Sequence, residues 1–232
     1  EQITEYAKKH FKLGDDIRYQ HIETSVDEVP VELHFFPCTM NNPIYNARLQ
    51  KWFKRNADLQ CSNVISLPDG IGEIAIPTTA FNVIYQLTHL YHHFFDEGIG
   101  IRQITDYYYV VNNNELLVVR DALQKELKHL GLWKFARAVM YVLHEALGLS
   151  EEKMIAPLDE KRGKLLLAEI LNGGNFGQHF TKYGHFTQQG MAKKYFLKIW
   201  RNMHFVRYYP AEALSEPIFR TWHFFWRMKN KK

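Results

Sequence analysis

The sequence predicts an α+β fold, predominantly α-helical, in which a small sheet comes before a helical domain. Apolar and polar residues alternate at 17–24 and at 29–36, a pattern typical of half-buried strands. After Pro77 the apolar residues recur at helical spacing instead, and glycines or asparagines follow most of these stretches. We therefore expect an α+β region at 1–77 and a helical domain at 78–232.

The α+β region begins with a predicted helix at 2–13, which has one apolar stripe and ends at Gly14. Residues 25–28 form the predicted turn of a β-hairpin between the two strands. A helix at 43–59 has proline in its first turn, where the missing backbone N–H costs little. Short strand or loop pieces are expected at 62–77, because proline and glycine interrupt this segment.

The helical domain holds seven predicted helices. A threonine at 78 or 79 caps the start of the first helix. Several of the helices end at a glycine or asparagine that directly follows their last apolar residues. The predicted helices lie at about 78–97, 101–112, 115–130, 132–147, 159–171, 188–206 and 211–228.

The composition excludes several classes of protein. Of the 232 residues, 46% are hydrophobic and 23% are charged, which excludes a disordered chain. No apolar stretch is long enough to predict a transmembrane helix. The two cysteines, Cys38 and Cys61, cannot form a disulfide framework or a four-thiolate zinc site. We therefore expect a cytoplasmic protein without a membrane partner.

The positive charge is concentrated at the C-terminal end. Residues 191–232 hold ten Lys or Arg and only two acidic residues, whereas the rest of the chain is net negative. A basic, aromatic segment can indicate nucleic-acid binding. The favoured interpretation is an amphipathic helix with an aromatic core face and solvated cations. In that interpretation Lys194, Lys198 and Arg201 lie opposite the face that buries Tyr195 and Met203.

Two histidine-containing motifs could hold a metal. In the strand motif VELHF at 31–35, Glu32 is fixed between apolar neighbours, as metal-binding carboxylates are, but polar residues also alternate in ordinary sheets. His89 and His93 are four apart, the spacing of two zinc ligands on one helix face, and Asp96 follows about one turn later. Since no third ligand is evident nearby, packing or hydrogen bonding between helices is the favoured role of these histidines.

Two further motifs contain glycine. In GIGIRQITD at 98–106, Arg102 and Asp106 are four apart and can form an ion pair on one helix face. In NGGNFG at 172–177 the glycines could form an anion-binding nest, although a helix end and a turn are favoured. Neither motif matches a dinucleotide fingerprint or a P-loop.

Together these motifs resemble the uncharacterised nucleotidyltransferase family, part of the DNA polymerase β-like nucleotidyltransferase superfamily. The resemblance rests on four segments in this order: VELH at 31–34, HLYHH at 89–93, GIGIRQITD at 98–106 and GNFG at 174–177. It implies a partial nucleotidyltransferase-type small sheet followed by an all-helical domain. It also implies transfer of a nucleoside monophosphate from an NTP to an unknown acceptor.

The resemblance also implies site residues and a cofactor. Enzymes of this kind hold two Mg²⁺ ions with an Asp-x-Asp pair on one strand and a third carboxylate on a later strand. Glu32 matches the third carboxylate and is the implied catalytic residue and metal ligand. Arg102, Asp106, Asn175 and Gly177 lie in the family's motifs and are implied to bind the nucleotide or the acceptor.

The chain departs from the family pattern in two respects. It contains no Asp-x-Asp pair and no Gly-Ser turn, which would lie just upstream of residue 1. We therefore expect a longer protein, either active with Mg²⁺ in its full-length form or a degenerate member of the family, whereas this stretch alone is expected to be inactive. Two alternatives of other classes stay open: a non-catalytic nucleic-acid-binding protein, and an interaction module whose helices contact a partner or a second copy.

Overall fold

A computed structural model describes residues 2–17, 19–174 and 191–230. The described residues form nine α-helices and five strands, which confirms a predominantly helical α+β fold. In chain order the elements are α1 (Gln2–His10), β1 (Lys12–Ile17), β2 (His21–Val26), β3 (Val29–His34), α2 (Pro43–Ser62), β4 (Val64–Ser66), β5 (Glu73–Ala75), α3 (Thr79–Asp96), α4 (Ile101–Val111), α5 (Glu115–His129), α6 (Trp133–Leu147), α7 (Glu160–Gly173), α8 (Met191–Met203) and α9 (Pro210–Asn230).

The first three strands form an antiparallel sheet in the order β1-β2-β3. The predicted hairpin joins β2 and β3, with Val26 paired to Val29. Asp27 and Glu28 between them have φ angles of 48° and 67°. Positive φ at both loop residues matches the twist of the two strands in a two-residue hairpin. This short turn fixes the register of every pair further along the hairpin.

The predicted helix at 2–13 and strand at 17–24 are wrong in their boundaries. Helix α1 ends at His10, and the chain continues as strand β1 through the glycine expected to stop the helix. In the antiparallel pair β1 and β2, Leu13 pairs with Thr24 and Ile17 pairs with Ile22. The chain therefore reverses direction between Ile17 and Ile22. The alternating pattern at 17–24 therefore combined the end of one strand with the start of the next.

The helices from α2 onwards follow the predicted pattern, and most predicted boundaries agree within a few residues. Side chains of Asn42 and Thr78 cap α2 and α3 by accepting backbone N–H groups of the first turn. Residues from α2, including Leu49 and Trp52, belong to the same hydrophobic core as helices α3–α7. The division into two domains at residue 77 stays a prediction. Among the described helices, none is long and apolar enough to cross a membrane.

A buried carboxyl group joins the start of α9 to the start of α2. Glu212 is 1% exposed, and its two oxygens accept the backbone N–H groups of Asn41 at 2.6 Å and Asn42 at 3.2 Å. Burial raises the pKa of Glu212 to about 7, against the opposing effect of these two hydrogen bonds. The contact sets α9 against the segment that leads from the sheet into α2.

Candidate functional site

Strands β2 and β3 place His21, Glu32 and His34 on one face of the sheet. His21 pairs directly with His34, and Glu32 lies two residues before His34, so all three side chains project to the same side. Nε2 of His34 lies 3.1 Å from one oxygen of Glu32, and Nε2 of His21 lies 3.7 Å from the other. We term these three residues the sheet cluster.

The sheet cluster is partly accessible to solvent. The Glu32 side chain is 53% exposed and that of His34 is 32% exposed, whereas only 11% of the His21 side chain is exposed. The second ring nitrogen of His34, Nδ1, lies 3.3 Å from the carbonyl oxygen of Phe36. Because a carboxylate only accepts, Nε2–H of His34 is the donor in its hydrogen bond to Glu32. The cluster thus combines a solvent-accessible carboxylate with two imidazoles held by the hairpin.

Helix α3 carries a pair of histidines that is coupled to the sheet cluster. His89 and His93 are one turn apart, and their Nε2 atoms lie 3.1 Å from each other. Burial, followed by the neighbouring His93 and His34, lowers the pKa of His89 to about 4. Burial and the neighbouring His92 lower the pKa of His93 to about 4, while Glu32 acts in the opposite direction on both. Both imidazoles are therefore neutral near pH 7.

Asp96 ends helix α3 and lies between two cationic side chains from the C-terminal helices. The Lys198 ammonium on α8 and the Arg220 guanidinium on α9 lie 2.8 and 2.7 Å from the same Asp96 oxygen. Burial alone would raise the pKa of Asp96, but the charges of Lys198 and Arg220 outweigh burial and hold it well below its usual range. Arg220 also pairs with Glu216, one turn earlier on α9. Asp96 therefore joins α3 to both C-terminal helices as an ionised carboxylate.

A cleft of about 250 Å³ opens beside Asp96, between the sheet and helices α3, α8 and α9. His21 lines this cleft on the sheet side, so the sheet cluster adjoins it. Three cationic side chains and two carboxylates also line the cleft: Lys198, Arg220, Arg227, Asp96 and Glu216. The cleft therefore carries charges of both signs, with one more positive than negative side chain.

The structure brings only part of the predicted site together. Glu32 lies in the sheet cluster beside the cleft. Arg102 and Asp106 lie exposed on α4, and neither lines the cleft; although both are described, no ion pair joins them. Asn175 and Gly177 fall outside the described residues. The binding roles of these four residues stay predictions.

The sequence interpretation missed the cationic side of the cleft. Lys198 is 9% exposed and Arg201 only 2%, whereas Trp200 and Met203 on the same helix are each 49% exposed. The expected orientation of α8, with solvated cations and a buried apolar face, is therefore wrong for these residues. Arg201 donates to the carbonyl oxygens of Phe94 and Phe95, which lie in the last turn of α3. The concentration of basic residues was the available signal, but it did not identify their partners.

Comparison with known proteins supports the resemblance seen in the motifs. The family described as uncharacterised nucleotidyltransferase matches residues 3–148, which include the sheet cluster and the α3 histidines. No curated protein and no solved structure gave a significant match. Since the family match covers more than half of the sequence, this chain belongs to the uncharacterised nucleotidyltransferase family.

Proposed function

We propose that the chain acts in a nucleotidyltransferase that transfers a nucleoside monophosphate from an NTP to an acceptor. The single observation that carries the proposal is the position of Glu32 in a sheet cluster that adjoins a cleft lined by charged side chains. The family match supports nucleotidyl transfer as the reaction class, and the charged side chains of the cleft are interpreted for that reaction.

The size of the cleft favours the phosphate end of the nucleotide as its occupant. Pockets for drug-sized ligands usually measure roughly 300–1,000 Å³, whereas this cleft has about 250 Å³. Lys198 and Arg220 supply donors suited to phosphate oxygens, and Asp96 fixes where both cations lie. We therefore propose that phosphates bind here while the base and sugar extend outside. Arg102, Asp106, Asn175 and Gly177 are proposed as further contacts to the nucleotide or the acceptor.

The metal implied by the resemblance fits the described residues poorly. Nucleotidyltransferase-type domains generally use divalent metals. Mg²⁺ is a hard ion that takes oxygen ligands in a nearly octahedral arrangement. Among the described residues, the side chains close enough to share one ion offer a single carboxylate and two imidazoles. This donor set does not fit Mg²⁺, so no step of the reaction is assigned to that ion. Glu32 remains the proposed catalytic residue of the nucleotidyl transfer.

The substitution Glu32→Gln tests this proposal, because it removes the negative charge and keeps the size of the side chain. Pyrophosphate release from the four NTPs, measured on the full-length protein with hydroxyl acceptors, is expected to fall at least about tenfold. Glu28→Gln at the exposed hairpin turn is the matched control and should leave the rate unchanged. Equal rates for Glu32→Gln and the parent protein would contradict the assigned role of Glu32.

A second candidate function is binding of single-stranded nucleic acid by the C-terminal helices. The observation that favours it is the exposure of aromatic side chains on α8 and α9: Phe196 is 68% and Phe225 62% exposed. Exposed rings can stack on bases, and the segment 191–232 is strongly basic.

Affinity for a labelled single-stranded RNA, followed by fluorescence anisotropy, tests this second candidate. It should fall steeply between 50 and 200 mM salt, and Phe225→Ala should weaken binding about tenfold, since stacking contributes about 1–3 kcal/mol per base. Tyr109→Ala, which removes an exposed ring from α4, serves as the control. Affinity that does not vary with salt would exclude this function.

A further inference from the structure

The sheet cluster has the donor set of a transition-metal site. One ligand atom from each of His21, Glu32 and His34 can be chosen so that all three lie within 4.8 Å of one another. We propose that these three residues bind one divalent transition-metal ion of the Zn²⁺ type, in preference to Mg²⁺. The proposal goes beyond the proposed nucleotide transfer and does not depend on it.

The spacing of the ligand atoms suits a small tetrahedral ion. Zinc bonds to histidine nitrogen and carboxylate oxygen measure about 2.0–2.2 Å, so neighbouring ligand atoms on a tetrahedron lie roughly 3.3–3.6 Å apart. The separations from Glu32 oxygens are 3.1 Å to His34 and 3.7 Å to His21. The ring centroids of the two histidines lie 5.0 Å apart. Small side-chain rotations would therefore bring all three ligand atoms to an ion, while the hairpin backbone keeps its register.

His34 is positioned to bind a metal through Nε2, the ring nitrogen that faces Glu32. Imidazole ligands suit zinc and related first-row ions, whereas magnesium favours oxygen. A ligating histidine usually donates its other ring N–H to a carbonyl or carboxylate group. In His34, Nδ1 lies 3.3 Å from the Phe36 carbonyl oxygen, in position for this role. In this structure Nε2–H donates to the Glu32 carboxylate, and a cation bound between the two groups would replace that proton.

The surroundings of the cluster leave room for a fourth ligand. Catalytic zinc sites with two histidines and one glutamate keep the fourth position for water or substrate. The Glu32 side chain is half exposed, so water can reach the ion, and His21 connects the cluster to the cleft. A metal here would lie next to the cleft proposed for phosphates.

Titration of the chelator-treated protein with Zn²⁺, Co²⁺ and Mg²⁺ separately tests the proposal without nucleotide. We expect one tight Zn²⁺ equivalent, a tetrahedral Co²⁺ absorption spectrum, and Mg²⁺ binding at least about tenfold weaker. Glu32→Gln and His34→Gln should each raise the Zn²⁺ dissociation constant by at least about tenfold, since losing even an outer hydrogen-bond partner costs about 10- to 100-fold. Circular dichroism spectra confirm that each variant is folded.

Two control variants separate this site from weak binding elsewhere, because the chain has 12 histidines in total, including His21 and His34. His129→Gln removes an exposed imidazole at the end of α5, and Glu28→Gln removes an exposed carboxylate from the hairpin turn. Both should bind Zn²⁺ like the parent protein. The proposal is overturned if the parent lacks a tight equivalent, if Mg²⁺ binds equally well, or if Glu32→Gln and His34→Gln both bind Zn²⁺ unchanged. A protein that binds zinc without transferring nucleotide would contradict only the proposed function.

Discussion

Asp96→Asn is expected to lower the free energy of unfolding by about 2–4 kcal/mol. The substitution removes the negative charge that pairs with both Lys198 and Arg220. These two largely buried cations then lose their ion pairs with Asp96. Breaking a fully buried ion pair costs about 3–5 kcal/mol, whereas an exposed pair contributes at most about 1 kcal/mol. Since the Asp96 side chain is 33% exposed, an intermediate loss is expected.

Urea denaturation near pH 7 measures this loss. Asp106→Asn on the exposed face of α4 is the matched control and should change stability by less than about 0.5 kcal/mol. Adding Lys198→Met to Asp96→Asn should recover part of the loss, because it removes one unpaired buried cation. Equal stabilities of Asp96→Asn and the control would mean that Asp96 does not join α3 to the C-terminal helices.

Stability is also expected to fall by about 2–3 kcal/mol between pH 6.5 and pH 4 because of His89 and His93. The pKa of each is lowered to about 4 in the folded protein, whereas an unfolded histidine titrates near 6.5. The unfolded chain therefore binds more protons in this interval, and protonation favours unfolding as the pH falls. The two rings share one contact, so their effects do not simply add.

Other groups titrate in or near the same interval and have to be separated from the histidine pair. Glu212 has a raised pKa of about 7, so its contribution to stability is lost as the pH rises towards 7, opposite to the histidine effect. Asp96 has a lowered pKa, so its contribution is lost only in stronger acid, below the usual aspartate range.

The measurement that isolates the pair is the stability difference between the parent protein and a His89→Gln/His93→Gln variant. This difference cancels the contributions of unchanged groups and should favour the parent more at pH 7 than at pH 4.5. A difference that is constant with pH would contradict the assigned pKa values of His89 and His93.

Most helices were predictable because their apolar residues recur over long stretches with recognisable ends. Helices α2–α7 lie close to the predicted positions, and proline or a capping residue marks several of their starts. The first strand was not predictable in this way. Its Leu13 pairs with Thr24 of the neighbouring strand, a contact absent from the local pattern that made Gly14 look like a helix end. Here the pairing of β1 with the later strand β2 decides the structure, and the local helix propensity does not.

The candidate site was predictable where its residues are close in sequence. Helical spacing indicated that His89 and His93 share one face of α3, and strand alternation singled out Glu32. Their cationic neighbours Lys198 and Arg220 reach Asp96 from 102 and 124 positions further along the chain. On α8, helical periodicity separates two faces without indicating which is buried. Pairing with Asp96 decides that Lys198 faces inwards.

The contact between Glu212 and the N–H groups of Asn41 and Asn42 spans about 170 positions. Closing so long a loop carries a large entropic cost, so this junction is expected to form late in folding and to be among the first to open. Helix α9 would then detach as a cooperative unit and take Arg220 away from Asp96. An occupant of the cleft would hold this helix in place and slow amide hydrogen exchange along it.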